Sequence, residues 1–301
     1  MGHAMTRPTI TPDLLMAEAG RLLMADELAT VQAYWPELRL SAEVTAVHET
    51  RKAIRRTFTL FKLFTPSFAP GELERHRRGL RKIMRRLAPC RDAAVFRLRM
   101  AAYNETAERP LTGLADYWAA RQNEADDVLR QYLARQSVAD ILDRYAHLTA
   151  TVGSGLPEAS DRDAPIRVRH ALPALLLQRL GAVAAYGDLL PDATADQLHQ
   201  LRIQFKELRY TLSFFSDILM EQAHDFIDVS RRMQEFLGDL NDLNVAIALM
   251  DGMEEHREEA AVYSDSLRPR LAQLTAEVPA RYAEFDRADL RLELSTVLAI
   301  L

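Results

Sequence analysis

The sequence predicts an all-α protein built from two similar helical halves. Three observations carry that expectation. Glycine is scarce, at 11 of 301 residues, while Leu, Ala and Arg dominate. Apolar residues recur with helical spacing along almost every stretch, and no run alternates as a half-buried strand would. A single stretch rich in Gly, Pro, Ser and acids, TVGSGLPEASDRDAPIR at 151–167, divides the chain near its middle.

Taken in order, the apolar spacing predicts helices over 12–34, 42–65, 72–87, 91–107, 112–134 and 137–151 in the first half. In the second half it predicts 167–186, 194–220, 224–237, 241–255, 257–284 and 287–299. Thr11-Pro12 opens the first helix, and the Ser67–Gly71 stretch punctuates the chain before the third. The whole chain is expected to form one domain, with a first half of about 12–151, a linker at 152–165 and a second half at 166–300.

Composition excludes several classes. With 48% hydrophobic and 27% charged residues the chain is ordinary globular material. One cysteine, Cys90, leaves no disulfide framework and no cysteine zinc cluster, and points to a reducing, cytoplasmic setting. No segment approaches the roughly 20 apolar residues of a spanning helix, so no membrane partner is expected. The opening MGHAMTRP lacks an apolar signal core, so no secretion signal is expected. MGHAM has the look of an appended segment, and His3 is set aside.

Net charge is −5, but it is unevenly spread. Residues 48–91 hold thirteen Lys or Arg against three Glu, which leaves −15 for the rest. The block also takes part in an internal repeat. His48-x-x-Arg51-x-x-x-Arg55 recurs as His199-x-x-Arg202-x-x-x-Lys206, an offset of 151, and LAPCRD at 87–92 recurs as LGDLND at 237–242, an offset of 150. Arg81 and Lys82 fall on Arg231 and Arg232. Two halves related by a pseudo-two-fold are the economical explanation.

On a helical wheel His48, Arg51, Lys52, Arg55 and Arg56 share one arc of about 140°, opposite Ile54, Phe58 and Phe61. The stripe runs about 12 Å along the axis. His199, Arg202, Lys206, Arg209 and Tyr210 repeat the pattern, and Arg75, Arg78, Lys82, Arg85 and Arg86 make a third stripe. Like charges at these spacings repel by a few tenths of a kcal/mol per pair, and solvated faces usually mix signs. Three one-signed stripes therefore point to an anion that offsets the repulsion. Arginine grips phosphate oxygens as a bidentate fork, and lysine supplies point charge. Stripes facing one another would form a groove of focused positive potential.

Competing readings exist for each feature. The stripes could be solvated faces, or could pair with the chain's own acids, such as EEHREE at 254–259. His48 and His199 could be core histidines. They lack partners at metal-ligand spacing, and flanking Arg would repel a divalent cation, so a histidine beside phosphate is preferred to a metal site. Asp92 and Asp242 are expected to follow a helix end as N-caps, or to orient a nearby Arg. Glu72-x-Glu74-x-His76 imitates the paired acids of tunnel triphosphatases, but it opens a helix, where acids suit the dipole.

The stretches VHETRKAIRRTFTLFKLF, RKIMRRLAPCRDAAV, LHQLRIQFKELRYTLSFF and MQEFLGDLNDLNVA resemble the CHAD domain, the conserved-histidine α-helical domain. With their connections they span roughly 12–300. The resemblance implies two bundle-like halves with basic helices lining a central groove or pore, binding of inorganic polyphosphate, and residence at polyphosphate granules. It carries onto His48, Arg51, Arg55, Arg56, Arg91, His199, Arg202, Lys206, Arg209 and Tyr210. The stripes add Lys52, Arg78, Lys82, Arg85 and Arg232. One departure is Phe58, which stands where the second copy has Arg209 and where the family often has Arg. A triphosphatase domain, which many relatives carry, is not visible.

The leading expectation is therefore a non-enzymatic polyphosphate-binding protein with no cofactor. Nucleic-acid binding is disfavoured because, apart from Tyr210 and Phe214, the rings of the stripe helices lie on the buried arc. A phosphohydrolase would need a metal cluster or a nucleophile–base pair, and neither is legible. A helical interaction scaffold is the remaining alternative, and self-association is left open.

Overall fold

The computed structural model describes residues 8–157, 164–219 and 223–301. His3 with the MGHAM stretch, the middle of the linker, and the residue ending the expected 194–220 helix lie outside the described residues.

Among the described residues the regular structure is helical, with no strand. The first half holds α1 (Met16–Ser41), α2 (Val44–Phe64), α3 (Glu72–Asn104), α4 (Thr112–Leu133) and α5 (Gln136–Ala150). The second holds α6 (Val168–Ala184), α7 (Ala195–Phe214), the single turn α8 (Ser216–Leu219), α9 (His224–Asp251), α10 (Arg257–Phe285) and α11 (Ala288–Ala299). The chain divides into two compact units. One spans Leu15–Pro165, and the other joins Thr9–Leu14 to Ile166–Leu301. The short N-terminal stretch is tied to the second unit by the Val168 and Arg169 amides, which donate to the Leu14 and Pro12 carbonyls at 2.9 and 3.0 Å.

Apart from the single turn α8, each unit has five α-helices among the described residues, in the same order. In the first, α2 packs between α1 and α3, and α3 packs on α4. In the second, α7 packs between α6 and α9, and α9 packs on α10. The repeat seen in the sequence thus corresponds to repeated connectivity, with α2 matched by α7 and α3 by α9.

Local chemistry sets the helix ends that position these elements. The Glu43 carboxylate accepts from the Ala46 amide at 2.9 Å and opens α2. Thr194 and Gln197 form a reciprocal capping box that opens α7. Gly71, at φ +81°, makes the left-handed turn into α3 that a side chain would strain.

The cores are aromatic. In the first unit the buried Phe61 and Tyr145 rings meet edge to face at 5.7 Å, and the Gly20 Cα lies against Phe64, whose ring would stand 2.8 Å from any added Cβ. In the second, Phe205, Phe226 and Phe285 pack at centroid distances of 4.7 and 5.6 Å. Each fully buried ring contributes on the order of 2–3 kcal/mol of transfer free energy.

Two expected breaks are absent. The sequence suggests a stop at 87–91 and another at 237–241, yet α3 and α9 run straight through them. Pro89 and Gly238 signal a turn, but Leu87, Cys90, Ala93, Leu237 and Leu240 are buried on either side. Their burial outweighs the few kcal/mol that a helical Pro costs or the roughly 1 kcal/mol for Gly. Asp92 and Asp242 are therefore mid-helix residues, not N-caps. Pro36 likewise fails to end α1, which continues to Ser41.

Candidate anion-binding site

In the first unit, α2 and α3 bring His48, Arg51, Lys52, Arg55, Arg91 and Asp92 into one electrostatic neighbourhood. The apolar side of α2, with Ala46, Val47, Ala53, Ile54, Leu60 and Phe61, is buried, so the opposite stripe must face outward. His48 is part-exposed. Partial burial, and then the nearby Arg91, lower its pKa from the ordinary value, while Glu49, 3.8 Å away, opposes them. Burial raises the Asp92 carboxyl pKa, and Arg51, Arg91 and Arg55 pull it back.

Arg51 is the most constrained of the group. Its Nε and Nη1 are enclosed by protein and have no hydrogen-bond acceptor. Burial lowers its pKa, while Asp92 raises it. An enclosed guanidinium N–H without an acceptor costs about 1–3 kcal/mol or more, and folded proteins rarely leave one. The second unit repeats the feature: Arg202, the counterpart of Arg51, has an enclosed, unaccepted Nε, and so does Arg209.

In that unit the His199 imidazole meets the Asn241 amide oxygen at 2.6 Å, joining α7 to α9. Asn241 is the counterpart of Arg91, so an amide stands in one unit where a guanidinium stands in the other. Arg209 lies over the Tyr210 ring at 5.1 Å. Tyr210 is itself buried, at 6% exposure.

Other expected residues are engaged elsewhere. Arg56 pairs with the buried carboxylate of Glu27 on α1. Lys52 pairs with Glu49 at 3.0 Å. Arg232 pairs with Asp228 one turn earlier on α9. Arg78, Lys82 and Arg85 stand exposed on α3 with Arg81, and among the described residues none forms an ion pair. No bond or ion pair joins them to the His48–Arg91 group. Arg86, from the same stripe, lies over Tyr132 of α4 at 5.5 Å.

Two findings escape sequence reading. One is the pair of carboxylates Glu27 and Glu207, each of which takes an arginine below the surface. Their signal was an acid within an otherwise apolar helix face. The other is the His199–Asn241 contact, which becomes legible only once α9 is unbroken.

Among the described residues no three His, Cys, Asp or Glu side chains stand together as a metal site. No helix among them is long and apolar enough to cross a membrane.

The fold resembles that of solved proteins. A crystal structure of the CHAD domain from the plant Ricinus communis superposes with a TM-score of 0.66 at 20% identity, covering 100% of this chain and 98% of that one. PptA from Streptomyces chartreusis superposes at 0.60 with 16% identity, covering 91% and 98%. No curated protein matches the chain in sequence. The sequence model of the CHAD domain matches residues 22–251, most of the chain, including the duplicated histidine motif and helices α3 and α9. The chain belongs to the CHAD domain family.

Proposed function

We propose that this protein binds inorganic polyphosphate through its basic helix faces, without catalysis, and that it resides at polyphosphate granules. The observation that carries the reading is the set of enclosed guanidinium N–H groups without acceptors on Arg51, Arg202 and Arg209. Phosphate oxygens would supply charge-assisted acceptors there. Around them His48, Arg55 and Arg91 on one unit, and His199 and Lys206 on the other, provide further donors. A polymer of repeated phosphates needs only repeated cations, so no base-reading surface is required.

One feature favours this polymer over RNA, and another speaks against catalysis. Tyr210 and Phe214, the two rings outside the buried arc of the wheel, are both buried, so neither offers a face for base stacking. Cys90 is enclosed as well, and burial pushes its thiol up to about 12, which ill suits a nucleophile.

The test is a titration of the full chain with long-chain polyphosphate, orthophosphate and single-stranded RNA, each at low and high salt. Tight, salt-sensitive binding of polyphosphate alone supports the reading. Equal binding of RNA reduces the site to a general polyanion surface. Removing both Arg51 and Arg55 as alanines is expected to weaken polyphosphate binding about a hundredfold or more, at about 1.5–3 kcal/mol for each charged hydrogen bond lost. The far-ultraviolet circular dichroism should be unchanged. Unaltered affinity in that double variant would sink the stripe assignment.

A further inference from the structure

The helices α3 and α9 occupy equivalent places but carry opposite charge programmes. On α3, Arg78, Arg81, Lys82 and Arg85 lie at i, i+3, i+4 and i+7, a single row about 10 Å long. All four are exposed, and none forms an ion pair among the described residues. Their mutual repulsion is unrelieved in the free protein. At the offset of 150 the same four positions on α9 are Asp228, Arg231, Arg232 and Glu235. The first and last cations have become carboxylates. The two that remain are taken up internally: Arg231 bonds Asp228 at 2.7 Å and Glu235 at 3.0 Å, and Arg232 bonds Asp228. The Arg231 hydrogen bond lowers the Asp228 pKa, so that carboxylate keeps its charge.

The surroundings reinforce the contrast. A cleft of about 290 Å³ between α9 and α10 is lined by four carboxylates, Glu235, Asp239, Glu277 and Glu284, against three arginines. A polyanion laid there would meet net negative charge. The free energy of polyanion binding comes largely from counterions released by available cations. Four are available on the α3 row and none, net, on the α9 row.

Resting on the polyphosphate reading above, we infer that the phosphate chain is held across α3 of the first half and turned away from the matching face of α9, with Asp228 and Glu235 as the residues that decide this. On these two matching faces binding is then one-sided, although the two halves share one helix order.

The experiment measures the affinity of the full chain for long-chain polyphosphate over a range of salt in four proteins, each checked by circular dichroism. All changed residues are surface residues except Asp228, which is half-exposed and bonds only on its own helix. R78A/R81A/K82A/R85A is expected to lose at least tenfold in affinity. Its salt dependence should be shallower by about 0.7 per lost contact, as for flexible single strands. R231A/R232A should stay within twofold of the parent. D228R/E235R should gain at least fivefold and steepen the salt dependence, because it completes a second row of four cations. Equal losses from the α3 and α9 arginine variants would overturn the inference, as would no gain from D228R/E235R. A parent that binds while the α3 variant binds equally well overturns the inference and leaves the polyphosphate reading standing. A parent that leaves polyphosphate unbound overturns both.

Discussion

In the first half Glu27 on α1 meets Arg56 on α2, with side chains 8% and 18% exposed. In the second half Arg179 on α6 meets Glu207 on α7, at 14% and 12%. Residues 56 and 207 are 151 apart, so they are the same position of the repeat, and the ion pair has been turned round. The α3–α4 and α9–α10 contacts do likewise. Arg86 on α3 lies over Tyr132 on α4 at 5.5 Å, whereas on α9 the ring is Phe236 and the cation is Arg281 on α10, at 5.7 Å. Residues 86 and 236 again share a repeat position. The meeting points of the helices are duplicated, but the chemistry that fills them is not. A residue's place in the repeat therefore does not predict its sign, which is why the surface rows of α3 and α9 could diverge while the fold stayed the same.

The largest expected effect tests the reversed pair. Glu27→Ala removes the carboxylate that the Arg56 guanidinium meets below the surface, and should cost about 3–5 kcal/mol of unfolding free energy. Urea denaturation measures it. Glu207→Ala should cost a similar amount by stranding Arg179. The double change Glu27→Arg with Arg56→Glu gives the first half the polarity of the second, and is expected to recover most of what Glu27→Ala loses. If it recovers nothing, the two contacts are not equivalent and the comparison breaks. A double variant Glu27→Leu with Arg56→Met should be near neutral, because a buried pair seldom beats well-packed apolar groups.

That pair also shows how far the sequence was legible. The basic stripe of α2 was visible because cations and apolar residues separate cleanly by helical spacing, and the structure places Ile54, Leu60 and Phe61 inside as the wheel requires. Arg56 sat at the edge of the cationic arc. Only the tertiary packing of α1 shows that its partner is Glu27, twenty-nine residues away. The helices themselves were legible except where Pro or Gly suggested an end, and at Phe215, where the expected 194–220 helix divides into α7 and the single turn α8. Pro36, Pro89 and Gly238 each carry a local turn signal, and each is overridden by burial of its neighbours, which no local pattern displays. The duplication was legible through its two nearly equal offsets. The divergence at Asp228 and Glu235 was present in the same alignment, but it acquires meaning only once Arg231 and Arg232 are seen bonded to those carboxylates.

A smaller effect concerns His48. His48 sits with Arg91, Lys52 and Arg55 around it and with Glu49 as the one opposing charge. Its pKa in the free protein is lowered, chiefly by burial and then by Arg91. A phosphate oxygen beside the ring would favour the imidazolium and raise that pKa. The affinity gained by protonation is then complete below the free-protein pKa, and is lost as pH rises through the higher, bound-state value. Affinity for long-chain polyphosphate is expected to fall severalfold between pH 5.5 and pH 8, with salt held constant. Long chains suit the measurement because their inner phosphates keep their charge over this range. His48→Gln should flatten the profile. A parent profile that is already flat would remove His48 from the phosphate contact.

The smallest effect tests whether the cation–ring contact carries equal weight in its two orientations. Arg86→Ala and Arg281→Ala each remove a guanidinium lying over a ring at the same junction of the repeat. Both arginines are exposed, so each contact is expected to contribute about 0.5–1 kcal/mol. The two urea midpoints should therefore shift by similar amounts. Arg281 also has Glu277 and Glu284 within 3.6 and 3.7 Å, but exposed pairs of that kind add little. Repeating both measurements at high salt screens those pairs more than it screens the ring contact. Equal shifts at high salt mean the junction keeps one strength whichever helix supplies the cation. A larger loss at Arg281 that fades with salt assigns the excess to Glu277 and Glu284, and a larger loss that persists would show that the halves differ in packing as well as in charge.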